Sequence, residues 1–168
     1  MREIAKFPNF ASSIEKNMSK VIKTNALRIL DKNKINYESK SRPLGTPDNP
    51  DKDAALIHKT LVAHGMSKEI YVFIIPTSKE LDLKKAATAT HEKKILMLHE
   101  KELLPNTGYI KGGCSPIGMK KQYKTFLEIS SADMNQIIVS GGKVKFRVKL
   151  NPKDLIKVVN AKAVDLIK

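Results

Sequence analysis

Residues Gln136–Leu150, QIIVSGGKVKFRVKL, decide the fold. Gln136–Val139 is β-rich, Ser140, Gly141 and Gly142 supply a turn, and Val144–Leu150 alternates between apolar and cationic residues. The segment therefore predicts two strands joined as a hairpin. Alternation puts Val144, Phe146, Val148 and Leu150 on one face and Lys143, Lys145, Arg147 and Lys149 on the other. The second face is a basic stripe roughly 20 Å long. It suits a nucleic-acid backbone, with Lys120, Lys121 and Lys124 as additions, and equally a solvated strand whose lysines block edge pairing.

C-terminal to the hairpin, Asn151, Pro152 and Asp154 announce a helix: a capping side chain, proline at the first helical position and an acid near the positive end of the dipole. N-terminal to it, Thr125–Ile129 and Ile95–Leu98 read as strands. Tyr71–Ile75 reads as a buried central strand ending at Pro76, and Leu56–Ala63 as a short strand ending in a turn near His64 and Gly65. Helical periodicity covers Met18–Lys32, a second helix runs through Leu83, Ala86 and Ala87 under a cap at Ser78 or Asp82, and a helical turn spans Glu100–Leu104. Pro43, Pro47 and Pro50 make Ser41–Asp53 a loop. Strands outnumber helices, so the expected class is mixed α/β: a mainly antiparallel curved sheet or barrel with flanking helices.

Composition narrows the partners. A chain of 168 residues suffices for one core. With 41% apolar and 29% charged residues it reads as globular, and no apolar run approaches the roughly 18 residues that span a bilayer. A net charge of +14 favours a polyanion such as nucleic acid. The apolar residues of Met1–Lys20 are scattered rather than continuous, and the single cysteine, Cys114, can form no intrachain disulfide. Both features lead to the expectation of a cytoplasmic protein with no membrane partner.

Two features can carry chemistry. Gly112, Gly113, Cys114, Ser115, Pro116, Ile117 and Gly118 form a loop whose main-chain amides are open to a ligand carbonyl or a developing oxyanion. Lys59 interrupts the apolar run Leu56, Ile57, Leu61 and Val62, so it points outward or sits in a cleft beside an anionic partner. Cys114 invites a nucleophile reading, but none of His58, His64, His91 or His99 has a triad-like context. Four scattered histidines lack metal-ligand spacing, so neither a metal nor another cofactor is expected.

Several blocks together resemble the YbaK/EbsC aminoacyl-tRNA deacylases, relatives of the editing domain inserted in bacterial prolyl-tRNA synthetases. They are Thr24–Tyr37 (TNALRILDKNKINY), His58–Val62 (HKTLV), Glu80–Ala87 (ELDLKKAA), Thr107–Lys121 (TGYIKGGCSPIGMKK) and Val139–Lys143 (VSGGK). The resemblance implies a deacylase domain over residues 20–168 preceded by an extension over 1–19. It implies hydrolysis of the ester between a wrongly attached amino acid and the 3′-terminal adenosine of tRNA, typically Cys-tRNA(Pro), in partnership with prolyl-tRNA synthetase. Lys59 would be the key lysine, with Thr60, Gly112, Gly113, Cys114, Ser115, Pro116, Gly118, Ser140 and Gly141 around the aminoacyl end. Lys120, Lys121, Lys143, Lys145, Arg147 and Lys149 would meet the tRNA. The substrate thiol would attack its own ester in a confined pocket, with no covalent enzyme intermediate. Removal of another small amino acid such as alanine, and non-catalytic binding of the tRNA 3′ end, are the alternative expectations.

Overall fold

The computed structural model describes residues 23–41 and 53–168. The extension 1–19, the start of the helix expected from Met18, and the Pro-rich segment Arg42–Lys52 lie outside the described residues. In chain order the elements are α1 (Asn25–Lys32), β1 (Tyr37–Ser41), β2 (His58–Gly65), β3 (Ile70–Pro76), α2 (Leu83–Thr90), β4 (Ile95–Met97), α3 (Glu100–Thr107), β5 (Lys124–Glu128), α4 (Ile129–Ala132), β6 (Ile137–Lys143), β7 (Phe146–Leu150), α5 (Pro152–Val159) and β8 (Lys162–Val164). A single 3-10 turn, Ala54–Leu56, leads into β2.

The strands form two sheets. One is antiparallel in the order β1-β7-β6; the other, in the order β4-β2-β3-β5-β8, pairs β2 antiparallel with β3 and β4 but runs β3, β5 and β8 parallel. A parallel bridge between Ile57 and Ile138 ties the sheets together at the entrance to β2. The result is the expected mixed α/β class, with the strands divided between an antiparallel sheet and a mixed one.

The central position of β3 explains its unbroken apolar run. Ile74 faces a core built with α1, α5, β6 and β7, through Leu30, Val139, Phe146, Val148 and Leu155. Tyr71, Phe73 and Ile75 face the other way, onto Leu81, Ala86, Ile95, Phe126 and Leu166. Both faces are covered, so Phe73, Ile74 and Ile75 are all 0% exposed, and each such side chain contributes about 1.5–3 kcal/mol of burial free energy.

Helix ends follow the local chemistry. Asp82 rather than Ser78 caps α2, accepting from the amides of Lys84 and Lys85. Asn151 caps α5 through Lys153 N at 2.8 Å with Pro152 next in line, and Asn160 closes that helix in the left-handed conformation. The expected turn at Glu100–Leu104 continues as α3 to Thr107, passing through Pro105 near its end.

The hairpin that decides the class is displaced by several residues. Ser140, Gly141 and Gly142 do not turn the chain; β6 runs through them to Lys143, with a register shift between Ser140 and Lys143, and the reversal falls at Val144 and Lys145. Lys145 takes a left-handed conformation there, with φ 62°. The glycines serve close packing instead. A Cβ on Gly141 would come within 2.6 Å of the Phe146 ring. The basic stripe is shortened accordingly: alternation holds over Phe146–Leu150 and includes Arg147 and Lys149, whereas Lys143 ends β6 and Lys145 belongs to the turn. His64 and Gly65 likewise lie inside β2, with the turn following at Met66 and Ser67. Strands β1 and β8 and helix α4 are short, and no periodic signal announces them.

Candidate active site

A cleft of about 380 Å³ opens where the start of β2, the β6–β7 hairpin and the loop after α3 converge. Lys59 and Thr60 from β2, Gly112 and Cys114 from the loop, and Ser140, Lys145 and Arg147 from the hairpin all line it, with Ile57, Ile138 and Phe146 as apolar wall. The lysine in the apolar strand therefore lies in a cleft and not on an open face. Lys145 and Arg147, read from the sequence as part of an outer stripe, contribute to the same cleft.

The loop is held by what lies behind it. Thr107 donates its hydroxyl to Leu103 O at 2.7 Å and accepts from Tyr109 N; Tyr109 donates its hydroxyl to Ile117 O at 2.5 Å. Gly118 closes the loop at φ +81°, where a Cβ would meet the Tyr109 hydroxyl at 2.8 Å and Asn25 Nδ2 at 2.9 Å. Gly113 lets main chain meet main chain, since a Cβ there would sit 3.0 Å from the carbonyl carbon of Lys143 and from Val144 N. The loop is thus seated directly on the turn of the hairpin.

These supports divide the predicted substrate residues. Gly112, Cys114, Thr60 and Ser140 line the cleft. Ser115 is 0% exposed and accepts from Ile117 N, and Pro116 is buried beside it. Gly118 packs on α1, and Gly141 packs under Phe146 while its carbonyl accepts from Thr24 Oγ1 at 2.6 Å. Ser115, Pro116, Gly118 and Gly141 therefore shape the wall from behind. Among the expected tRNA contacts, Lys120 and Lys121 are exposed beyond the loop, with Lys120 donating to Pro105 O at 3.3 Å, and Lys124 pairs with Glu69 at 3.1 Å. Lys149 pairs with Asp53 at 3.4 Å.

Among the described residues, neither the imidazole nor the thiol of the lining is set up as a base or nucleophile. His58 Nδ1 lies 2.6 Å from Leu56 O, which can only accept, so Nδ1 carries the proton and Nε2 accepts from Ser131 Oγ at 2.7 Å. Burial lowers the His58 pKa below the usual imidazole value, outweighing the Leu56 carbonyl and the nearby Glu128 charge. Both ring nitrogens are occupied and the ring stays neutral near pH 7. Sequence spacing did not reveal this bond to Ser131, 73 residues away. Burial pushes the Cys114 thiol up to about 11, so the thiolate needed for attack is scarce at neutral pH. Among the described residues the lining includes no carboxylate. Among the described residues no group of three or more His, Cys, Asp or Glu side chains is placed to hold a metal ion.

Thr60 carries an unusual group: its Oγ1 is buried and has no hydrogen-bond partner among the described residues. An unmatched buried hydroxyl costs about 1–3 kcal/mol, whereas an apolar group of the same shape costs nothing of the kind. Thr60→Val is therefore expected to leave the melting temperature unchanged or raise it by a few degrees, as differential scanning calorimetry would read. A clear drop would mean that the hydroxyl has a partner in solution.

The family model of the aminoacyl-tRNA editing domain matches residues 50–158, a span that contains every residue lining the cleft. The chain belongs to the aminoacyl-tRNA editing family. It is 39% identical over 158 residues, 86% of this chain and 93% of the relative, to an Enterococcus faecalis protein named "Putative Cys-tRNA(Pro)/Cys-tRNA(Cys) deacylase EbsC". Solved structures share the fold. One described as a "putative trans-editing enzyme for prolyl tRNA synthetase" superposes with a TM-score of 0.72 at 19% identity, covering 91% of this chain and 96% of that one. Another, of hypothetical protein APE2540, gives 0.74 at 15% identity, covering 86% and 100%. The editing domain is an enzyme of the aminoacyl-tRNA deacylase class, and its substrate is an aminoacyl-tRNA. No helix among the described residues is long and apolar enough to cross a membrane.

Proposed function

We propose that this editing domain acts in trans on Cys-tRNA(Pro), working in the cytoplasm beside prolyl-tRNA synthetase, and that residues 20–168 form the deacylase unit behind an N-terminal extension. One observation carries the mechanistic part. The cleft brings Lys59 together with Gly112 and Cys114 of the loop, and among the described residues its lining holds no carboxylate, no free imidazole and no ionised thiol. The described lining orients and polarises an ester without offering a carboxylate or a free imidazole as base, and on that ground we infer that the nucleophile comes from the substrate.

For a cysteinyl ester the substrate sulfur is close enough to react. Its thiol attacks the ester carbonyl carbon; the S–C bond forms, the C–O bond to the ribose breaks, and the thiol proton ends on the departing ribose hydroxyl. The four-membered thiolactone released takes up water to give free cysteine. Lys59 directs its ammonium to the ester carbonyl and stabilises the oxyanion that develops there, beside the main chain of Gly112 and Cys114; the Gly113 amide is already committed to Ile110 O at 3.0 Å. An alanyl ester has no such sulfur and needs water or the neighbouring ribose hydroxyl instead.

Release of labelled amino acid from Cys-tRNA(Pro), Ala-tRNA(Pro) and Pro-tRNA(Pro), each with wild type and Lys59→Ala, tests the proposal. Lysine-dependent release of cysteine alone supports it. Release of alanine in preference to cysteine overturns the sulfur mechanism and assigns alanine as the substrate.

The cations at the cleft supply the tRNA contact. Reversing the charge of Lys145 and Arg147 together is expected to weaken tRNA binding about tenfold or more at physiological salt. The slope of log Kd against log salt should flatten by nearly two counterions. An unchanged slope in fluorescence titrations would remove this pair from the interface.

A further inference from the structure

We propose that a second cavity beside the cleft receives the cytosine that precedes the terminal adenosine, with Glu38 accepting a hydrogen bond from its exocyclic amine. The inference rests on the aminoacyl-tRNA reading above and adds to it a base-specific subsite.

The register of the three-stranded sheet sets up the site. Lys40 lies opposite Arg147, which lies opposite Ser140; Glu38 lies opposite Lys149, which lies opposite Ile138. Residues two apart on a strand share a face, so these are two parallel rows of side chains, separated by roughly 7 Å along the strands. The first row ends at Ser140 in the cleft. The second belongs to a neighbouring cavity of about 250 Å³ that takes in Glu38, Lys40, Asp53 and Lys149 and shares Ile57, Ile138 and Arg147 with the cleft. Arg147 stands at the boundary between the two.

Chemistry then selects the ligand. Single-stranded RNA ends are recognised with their bases splayed apart and read on their hydrogen-bonding edges. If the aminoacyl-adenosine occupies the cleft, the preceding phosphodiester passes the boundary, where Arg147 and Lys40 meet its charge. The next base enters the second cavity, whose volume lies below the roughly 300–1,000 Å³ of pockets for larger ligands and suits a single base. Among the described residues two carboxylates line it, and a carboxylate is the natural acceptor for the N4 amine of cytosine. Asp53 is engaged by Lys149 at 3.4 Å, with both side chains less than a third exposed, which leaves Glu38 as the acceptor. Uracil presents an acceptor oxygen at the same place and is repelled. Every tRNA ends in the same CCA sequence, so this subsite verifies an intact 3′ end without reading tRNA identity.

The test compares kcat/KM for three cysteinylated RNAs: adenosine, the dinucleotide CpA and the dinucleotide UpA. Wild type is expected to favour CpA over UpA by about tenfold, within the range that one good base contact discriminates. In Glu38→Gln, whose amide can offer either a donor or an acceptor, the ratio should fall to within about twofold. Taking the ratio within each variant cancels any general loss of activity. A wild-type ratio near one with all three substrates hydrolysed overturns the subsite and leaves the deacylase reading standing. A preference that survives Glu38→Gln places the discrimination elsewhere and also overturns it. No hydrolysis of any of the three, including cysteinyl-adenosine, brings down the deacylase reading itself.

Discussion

Lys59→Ala is expected to lower single-turnover release of the amino acid by a factor on the order of 10²–10³, the usual result of removing one preorganised donor from a developing oxyanion. The fold should be untouched. Lys59 belongs to neither hydrophobic cluster, and its main chain stays in the ladder opposite Ile75. Its loss should therefore fall within the ±0.5 kcal/mol or so typical of substitutions outside the core. Thermal unfolding and deacylation measured on the same preparation give the decisive pair: a normal melting temperature with lost turnover. Normal turnover would remove Lys59 from the chemistry, and a collapsed melting temperature would show that it acts through the fold.

Which parts of this site were legible in the sequence depends on the range of the interactions. Lys59 stands out because a cation in the run Leu56–Val62 needs a reason, and that reason is local. The caps at Asp82 and Asn151 are local too, since an acceptor and the amides it bonds lie within three residues. The Ser140–Gly142 segment misleads because a glycine pair signals a turn by default, whereas here the missing side chains admit the Phe146 ring and the Tyr109 ring from elsewhere in the chain. Gly113 has the same kind of cause, a main chain about thirty residues further on. The locking of His58 by Ser131, and the division of Arg147 between two cavities, are products of the tertiary fold and leave no periodic trace. Strands β1 and β8 escape notice because most of their residues are exposed, so no alternation of burial is imposed on their sequence.

Phe146→Ala, unlike Lys59→Ala, should lose stability as well as turnover. Phe146 is 2% exposed, belongs to the core cluster with Val139, Val148 and Leu150, packs on Gly141 and lines the cleft. Truncating a buried phenylalanine costs about 3–5 kcal/mol, because the lost transfer free energy is joined by the cavity left behind. For a chain of this size each kcal/mol lowers the melting temperature by about 2–4 °C, so a fall of roughly 6–20 °C is expected. Against a total stability of about 5–15 kcal/mol the variant should still fold at 25 °C, though with a narrow margin. Turnover should fall with it. The ring separates the core from the cleft at the point where the hairpin carries Arg147 and supports the Gly112–Cys114 loop, so its loss loosens the wall that confines the ester. Denaturant melts at 25 °C would give the stability change, and deacylation at the same temperature the second readout. A stable variant with intact activity would mean that neighbouring side chains close the gap, and that the confinement of the substrate comes from the loop alone.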